Sequence, residues 1–129
     1  MTVTIHDAIP TEFKNVQVIV LPSIDPLSGL TNYDVTFIPP AVEILTNDAV
    51  INYQLIWPTP DSVTFLDMTV DPSDQDQFSE ESVGISGRVL TFSDANTTEE
   101  VLHITINFQD GENSFGVDPQ VINRPPPPR

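Results

Sequence analysis

The stretch AVINYQLIWPTPDSVTFLDMTV, from Ala49 to Val70, decides how this chain is read. Apolar side chains recur at every second position in Ile51, Tyr53 and Leu55, and again in Val63 and Phe65. Because a strand turns successive side chains to opposite faces, this spacing predicts two half-buried strands. Pro58, Pro60 and Asp61 between them are turn formers. The two strands are expected to lie side by side, antiparallel, in the middle of one sheet. Beyond Phe65 the apolar positions become Met68 and Val70, a slip of one residue near Leu66 and Asp67 of the kind a β-bulge produces.

Working outward, Val101 to Gln109 carries the cleanest alternation, with Leu102, Ile104, Ile106 and Phe108 facing one way and His103, Thr105, Asn107 and Gln109 the other. Val16 to Leu21 is β-branched and apolar with little alternation, which fits a central strand or one covered on both faces. Tyr33, Val35 and Phe37 mark a half-buried strand that runs into the Pro39-Pro40 corner. Thr2 to Ile9, Ala41 to Thr46, Arg88 to Phe92 and Val117 to Ile122 complete the set, the first of these as an edge. Ser23 to Asn32, Ser93 to Glu100 and the acidic Asp71 to Ser82 read as loops, with Phe78 pinning the last of them to the body. Gly84 to Gly87 is a turn.

No stretch has helical periodicity, and thirteen prolines interrupt the chain. About seven to nine short strands separated by turn clusters predict an all-β fold, a single immunoglobulin-like antiparallel β-sandwich over residues 1–123, followed by a polyproline tail over 124–129. The Cys pair of true immunoglobulin domains is missing and Trp57 stands at a strand end beside Pro58, so this expectation rests on strand count and pattern.

A chain of 129 residues with 39% hydrophobic residues and seven Phe supports a core in spite of its formal charge of −15. That charge excludes the phosphate backbone of nucleic acids and anionic membranes as natural partners, since binding them needs clustered cations. No cysteine is present, so disulfides, thiolate metal sites and cysteine nucleophiles are ruled out. MTVTIHDAIPTEFK has no basic start followed by a long apolar run, and the expectation is a cytoplasmic protein.

The sharpest local hypothesis for chemistry is Ca²⁺ on Asp71, Asp74, Asp76, Glu80 and Glu81, five carboxylates within one loop. A loop of EF-hand type starting at Asp74 would need Gly where Ser79 stands and Glu where Ile85 stands, and a solvated acidic loop is the simpler reading. Ser86 in GISG lacks the G-x-S-x-G elbow, and of two scattered histidines His103 falls on the polar face of its strand and His6 on an expected edge strand. No catalytic residue and no cofactor is assigned. RPPPPR, with Arg124 and Arg129 flanking Pro125 and Pro128, has the spacing of polyproline-groove ligands, against which an inert terminus is the simpler reading. Trp57, if exposed, offers a stacking platform for a carbohydrate, whereas Tyr53 belongs to the core.

The run INYQLIW from Ile51, VTF at Val63, QF at Gln77-Phe78, LHITINF from Leu102 and above all the closing DPQVINRP from Asp118 to Pro125 resemble the DP-EP family of small bacterial proteins of unknown function. The resemblance covers roughly Val50 to Pro125 and departs at Arg124-Pro125, where the family's name implies Glu-Pro. It implies an immunoglobulin-like sandwich in a bacterial cell and carries over no activity. On physical grounds Asp118 accepts hydrogen bonds in a turn, Pro119 fixes φ at a strand start, and Asn123 caps the strand exit. Asp118, Pro119 and Asn123 thus form a structural lock, with ligand binding as the alternative. The function expected from all this is a non-enzymatic interaction or structural module whose partner is another protein or a second copy of itself; the alternative is a sandwich that binds Ca²⁺ or a carbohydrate.

Overall fold

The β-branched run near the start of the chain forms β1 (Phe13–Ile24), whose Val16, Val18 and Val20 are buried while residues Leu21–Ile24 are exposed. The structure is a computed structural model and describes residues 11–127; the expected strand from Thr2 to Ile9 lies outside them. β1 turns back through Asp25–Leu30 into β2 (Thr31–Ile38), antiparallel to it with Val20 opposite Val35. The loop is shorter than its composition suggests, because both strands run on into the stretch of turn formers.

At Pro39-Pro40 the chain crosses to a second sheet, where it forms β3 (Ala41–Ile44), and it crosses back at Thr46–Asp48 to β4 (Ala49–Leu55). A return by way of the opposite sheet frees the next strand from pairing with β2, the one just left, and lets it take a parallel place on the other side of β1. β4 accordingly lies parallel to β1, with Val16 opposite Tyr53.

β5 (Val63–Asp71) then belongs to the second sheet, so the two strands of the Ala49–Val70 stretch are not neighbours, contrary to the sequence expectation. They lie in opposite sheets. Alternation reports which side of a strand is dry and says nothing about which strand lies beside it. The connection holds β4's end against other elements: Ile56 donates its N–H to Val18, and the Thr59 hydroxyl accepts from the N–H of Val20.

The remaining strands are β6 (Ser82–Val83), β7 (Val89–Asp94), β8 (Glu100–Asp110), β9 (Asn113–Val117) and β10 (Gln120–Asn123). One sheet has the order β2-β1-β4-β7-β6 and the other β3-β10-β8-β5, with β9 paired to β8. The all-β sandwich is as expected, but it has ten described strands and its sheets are mixed, since β3 and β10 are also parallel. No helix among the described residues is long and apolar enough to cross a membrane.

The expected bulge is present: the register between β5 and β8 shifts between Phe65 and Asp67, leaving Leu66 exposed while Phe65 and Met68 both point inward. On β8 the side chains of Leu102, Ile104, Ile106 and Phe108 are all buried, and Tyr53 and Phe92 meet them from the opposite sheet. Each such side chain contributes roughly 1.5–3 kcal/mol by leaving water. The Tyr53 ring stacks 6.2 Å from Phe92 and meets the edge of Phe37 at 5.8 Å. Its hydroxyl is buried without a hydrogen-bond partner among the described residues, and burial pushes its pKa up.

The single strand expected over Val117 to Ile122 is instead two. β9 and β10 lie along the same side of β8, Val117 opposite Ile106 and Gln120 opposite His103, so Asp118-Pro119 interrupts the ladder without shifting its register. Proline brings no donor to that gap, where a side-chain bond links the two strands instead: the Thr105 hydroxyl donates to the Asp118 carboxylate at 2.6 Å.

Candidate functional site

The topology gives the sandwich two unlike ends. Because β1 and β4 are parallel and β7 is antiparallel to β4, one end collects the Asp25–Leu30 turn, the loop from Ile56 to Ser62, the Gly84–Gly87 turn and the β8–β9 hairpin. The opposite end collects Pro39-Pro40, Thr46–Asp48, the acidic loop, Ala95–Glu99 and the tail.

At the first end the loops present large apolar side chains to water. Trp57 is 87% exposed, Leu27 96%, and Ile85 fully, with Ile24 and Leu30 beside the turn also exposed. These loops are held from within. Arg88 donates from Nη1 to the carbonyls of Pro60 (2.9 Å) and Val63 (2.8 Å), and from Nη2 to Thr59 (3.4 Å). The cation therefore acts as a clamp between the β4–β5 loop and the start of β5. Gly87, at φ +73°, passes close against Thr64 in the same region. Ser86 is a turn residue, its hydroxyl accepting the Arg88 N–H at 3.3 Å.

The β1–β2 hairpin extends past the end of β4, since Val18 is opposite Leu55 and β1 continues to Ile24. Six further residues at about 3.3 Å each carry it on the order of 20 Å beyond. Tyr33 supports this arm from below: its ring stacks on Phe115 at 3.9 Å, its hydroxyl donates to Asp110 at 2.9 Å and accepts from Asn113 Nδ2 at 3.2 Å. Phe115 in turn stacks on Phe108, linking the arm to the core.

The other end is polar and tied together. Gln77 is buried; its Oε1 accepts the N–H of Thr97 at 2.7 Å and its Nε2 donates to Asp76 and to the Thr97 hydroxyl. Asn96, fully buried at φ +50°, donates from Nδ2 to the carbonyls of Ile44, Thr46 and Arg124, and from its N–H to Asp94. Asn123, expected to cap the strand exit, has its side chain in the interior. It is fully buried and its Nδ2 donates to Asp94 Oδ1 at 3.0 Å, joining β10 to β7 across the sandwich. Phe78 pins the acidic loop as expected, its ring meeting Phe92 at 5.1 Å.

The five carboxylates proposed for Ca²⁺ do not converge. Among the described residues no three acidic or histidine side chains are grouped so as to hold a metal ion. Asp71, Asp74, Asp76 and Glu80 are exposed along the loop, and Glu81 instead reaches β5, where it accepts the Met68 N–H at 3.1 Å. A loop this rich in carboxylates lowers its electrostatic energy by spreading them through water. Glu80 and Glu81 line an open groove of about 320 Å³ with Met68, Val70 and Phe78. A second groove, about 430 Å³, is walled by Val16, Val42, Leu45 and Ile122, with Lys14 at its rim. That Lys14 is paired with Glu12 at 3.2 Å.

Of the remaining sequence-predicted residues, Asp118 and Pro119 hold the β9–β10 junction, His103 is exposed on β8, and Arg124 pairs with Glu43 at 3.3 Å while its N–H continues the β3–β10 ladder to Ile44. Pro125 and Pro126 are half-buried, which takes part of the tail out of reach of a polyproline groove; His6, Pro128 and Arg129 lie outside the described residues. Arg88, Asn96 and Gln77 tie the ends together without being predicted to do so from the sequence. Arg88 carried a signal in being the first cation after Lys14 in a strongly acidic chain. Asn96 and Gln77 had none that separates them from ordinary loop residues. No protein-family model matches the chain, and no curated protein matches it.

Proposed function

We propose that this protein is a non-enzymatic interaction module that works by contact with another protein through its apolar end. The observation that carries the reading is the exposure of Trp57, Leu27 and Ile85 on three separate connections at one end of the sandwich. Large apolar side chains held in water gain by being covered, and tryptophan dominates many interfaces. The Arg88 clamp and the Tyr33–Phe115 stack hold the loops in place, which lowers the ordering cost of binding. Membership of the DP-EP family belongs to the same proposal and adds no activity to it.

The test is photo-cross-linking from a benzophenone side chain placed at position 57 in the cells that make the protein. A defined protein adduct is expected from position 57, competed by unlabelled protein, with none from position 99 at the acidic end. Absence of adducts from positions 57, 27 and 85 alike would refute the reading. An adduct with a second copy would identify the partner as the protein itself.

A carbohydrate is the second reading, favoured by the indole of Trp57 standing 87% exposed as a free stacking face. Titration with oligosaccharides, read by the fluorescence of this single tryptophan, separates the two: a saturable shift supports the sugar, an unchanged spectrum removes it.

A further inference from the structure

The edges of the two sheets are closed unequally. β5 is an edge strand by topology, but Phe65 donates its N–H to Gly87 and Met68 to the Glu81 carboxylate, so outward donors of that edge are already bonded. β6 has two residues, and β3 has four, bounded by Pro39-Pro40 and by Leu45, whose N–H is taken by Glu12. β9 has five and ends at Asp118-Pro119. β2 runs for eight residues in unbroken register with β1, and among the described residues nothing pairs with its outer side.

An antiparallel edge leaves the N–H and C=O of every second residue unbonded, a template for one more strand. Natural edges are blunted by lysine, proline or a bulge, and β2 has none of these; Asp34 is its one charged residue. Acidic side chains gather near the Tyr33 end of β2, and Lys14, beside Pro39 at its other end, is paired with Glu12. Asp25 lies in the adjoining turn, Asp110 and Glu112 in the hairpin against which Tyr33 rests, and no Lys or Arg occurs between Lys14 and Arg88. Arg88 is occupied with three carbonyls. With a charge of −15 on each chain, a second copy is repelled from this edge.

We propose that the outer edge of β2 takes an extended, Lys- or Arg-bearing segment of another protein as an added strand. Main-chain bonds to β2 supply the register, and the cations of the added segment lie along Asp34 and its acidic surroundings. The proposal rests on the reading of the protein as a contact module and adds a second surface with a partner of stated charge.

The test uses the full chain and an alternating lysine–valine peptide of strand length, with the same peptide N-methylated at every second amide as control. Residue-resolved amide exchange by NMR is expected to show new protection at alternate positions of Thr31–Ile38 on adding the peptide, and none with the methylated peptide, which keeps the charge and loses the donors. Asp34→Lys is expected to weaken binding about fivefold and Asp34→Asn less, both at an exposed position that folding tolerates. Equal binding of the methylated peptide, protection located elsewhere, or no binding overturns the proposal. So does β2 protection that rises with protein concentration in the absence of peptide, which would make the occupant a second copy. None of these results bears on cross-linking from position 57, so the two proposals fail separately.

Discussion

Replacing Asn96 by alanine tests how the acidic end of the sandwich is held. The side chain is fully buried and its Nδ2 reaches the carbonyls of Ile44 and Thr46 at 3.0 Å and of Arg124 at 3.2 Å. Ile44 keeps a donor in the Arg124 N–H, so the loss falls on Thr46 and Arg124. A buried polar group stripped of its partner costs about 1–3 kcal/mol, and both carbonyls are near enough to the surface for the lower part of that range. Alanine at φ +50° adds about 1 kcal/mol that asparagine tolerates better. Losing Oδ1, which is buried without a hydrogen-bond partner among the described residues, returns part of this. The expected loss is about 3 kcal/mol, read as a lower urea midpoint at unchanged slope. Asn96→Gly should recover about 1 kcal/mol of it by relieving the backbone. A loss below about 1 kcal/mol in the alanine variant would refute the view that Asn96 ties β3, β7 and β10 together.

Gly87→Ala places a Cβ 2.8 Å from Thr64 at a φ of +73°, and is expected to cost about 2–3 kcal/mol in a denaturant titration. Tyr53→Phe removes a buried hydroxyl that has no partner among the described residues, and should leave stability unchanged or raise it by up to ~1 kcal/mol, measured by thermal unfolding. Trp57→Ser, at an exposed loop position, should shift stability by no more than ~0.5 kcal/mol while abolishing partner binding. Burial opposes ionisation of Glu12, but the Leu45 N–H, Lys14 and the Thr46 N–H more than offset it, so its carboxyl titrates below the ordinary value. A depressed folded pKa gives stability that is complete above the ordinary carboxylate range and is lost as pH falls through the folded value. Glu12→Gln should therefore flatten the acid side of the stability profile, and an unchanged profile would contradict the assignment.

What could be read from the sequence follows from what side-chain spacing encodes. The alternation from Leu102 to Phe108 identifies a strand and its dry face, and the slip after Phe65 identifies a bulge, because both are local. Strand partners are set by connections that cross the sandwich, and nothing in Ile51 to Leu55 or Val63 to Phe65 states that the loop between them changes sheets. Phe78 was legible because one large apolar residue in an acidic loop has few other uses. Asn123 was not, since an asparagine before a proline tail looks the same whether it caps a strand or is buried against Asp94. Acidic residues in Asp71–Glu81 are close in sequence, and mutual repulsion spreads them in space. The exposure of Trp57 depends on how the Ile56–Ser62 loop lies against Val18 and Val20, a tertiary contact without a local signature.

Unequal closure of the sheet edges is tested most directly by amide exchange in the free protein. The Phe65 and Met68 amides of β5 should exchange slowly although their strand is an edge, because Gly87 and Glu81 hold them. Every second amide of Thr31–Ile38 should exchange as fast as an exposed loop. Uniform slow exchange along β2, or fast exchange at Phe65 and Met68, would contradict the account.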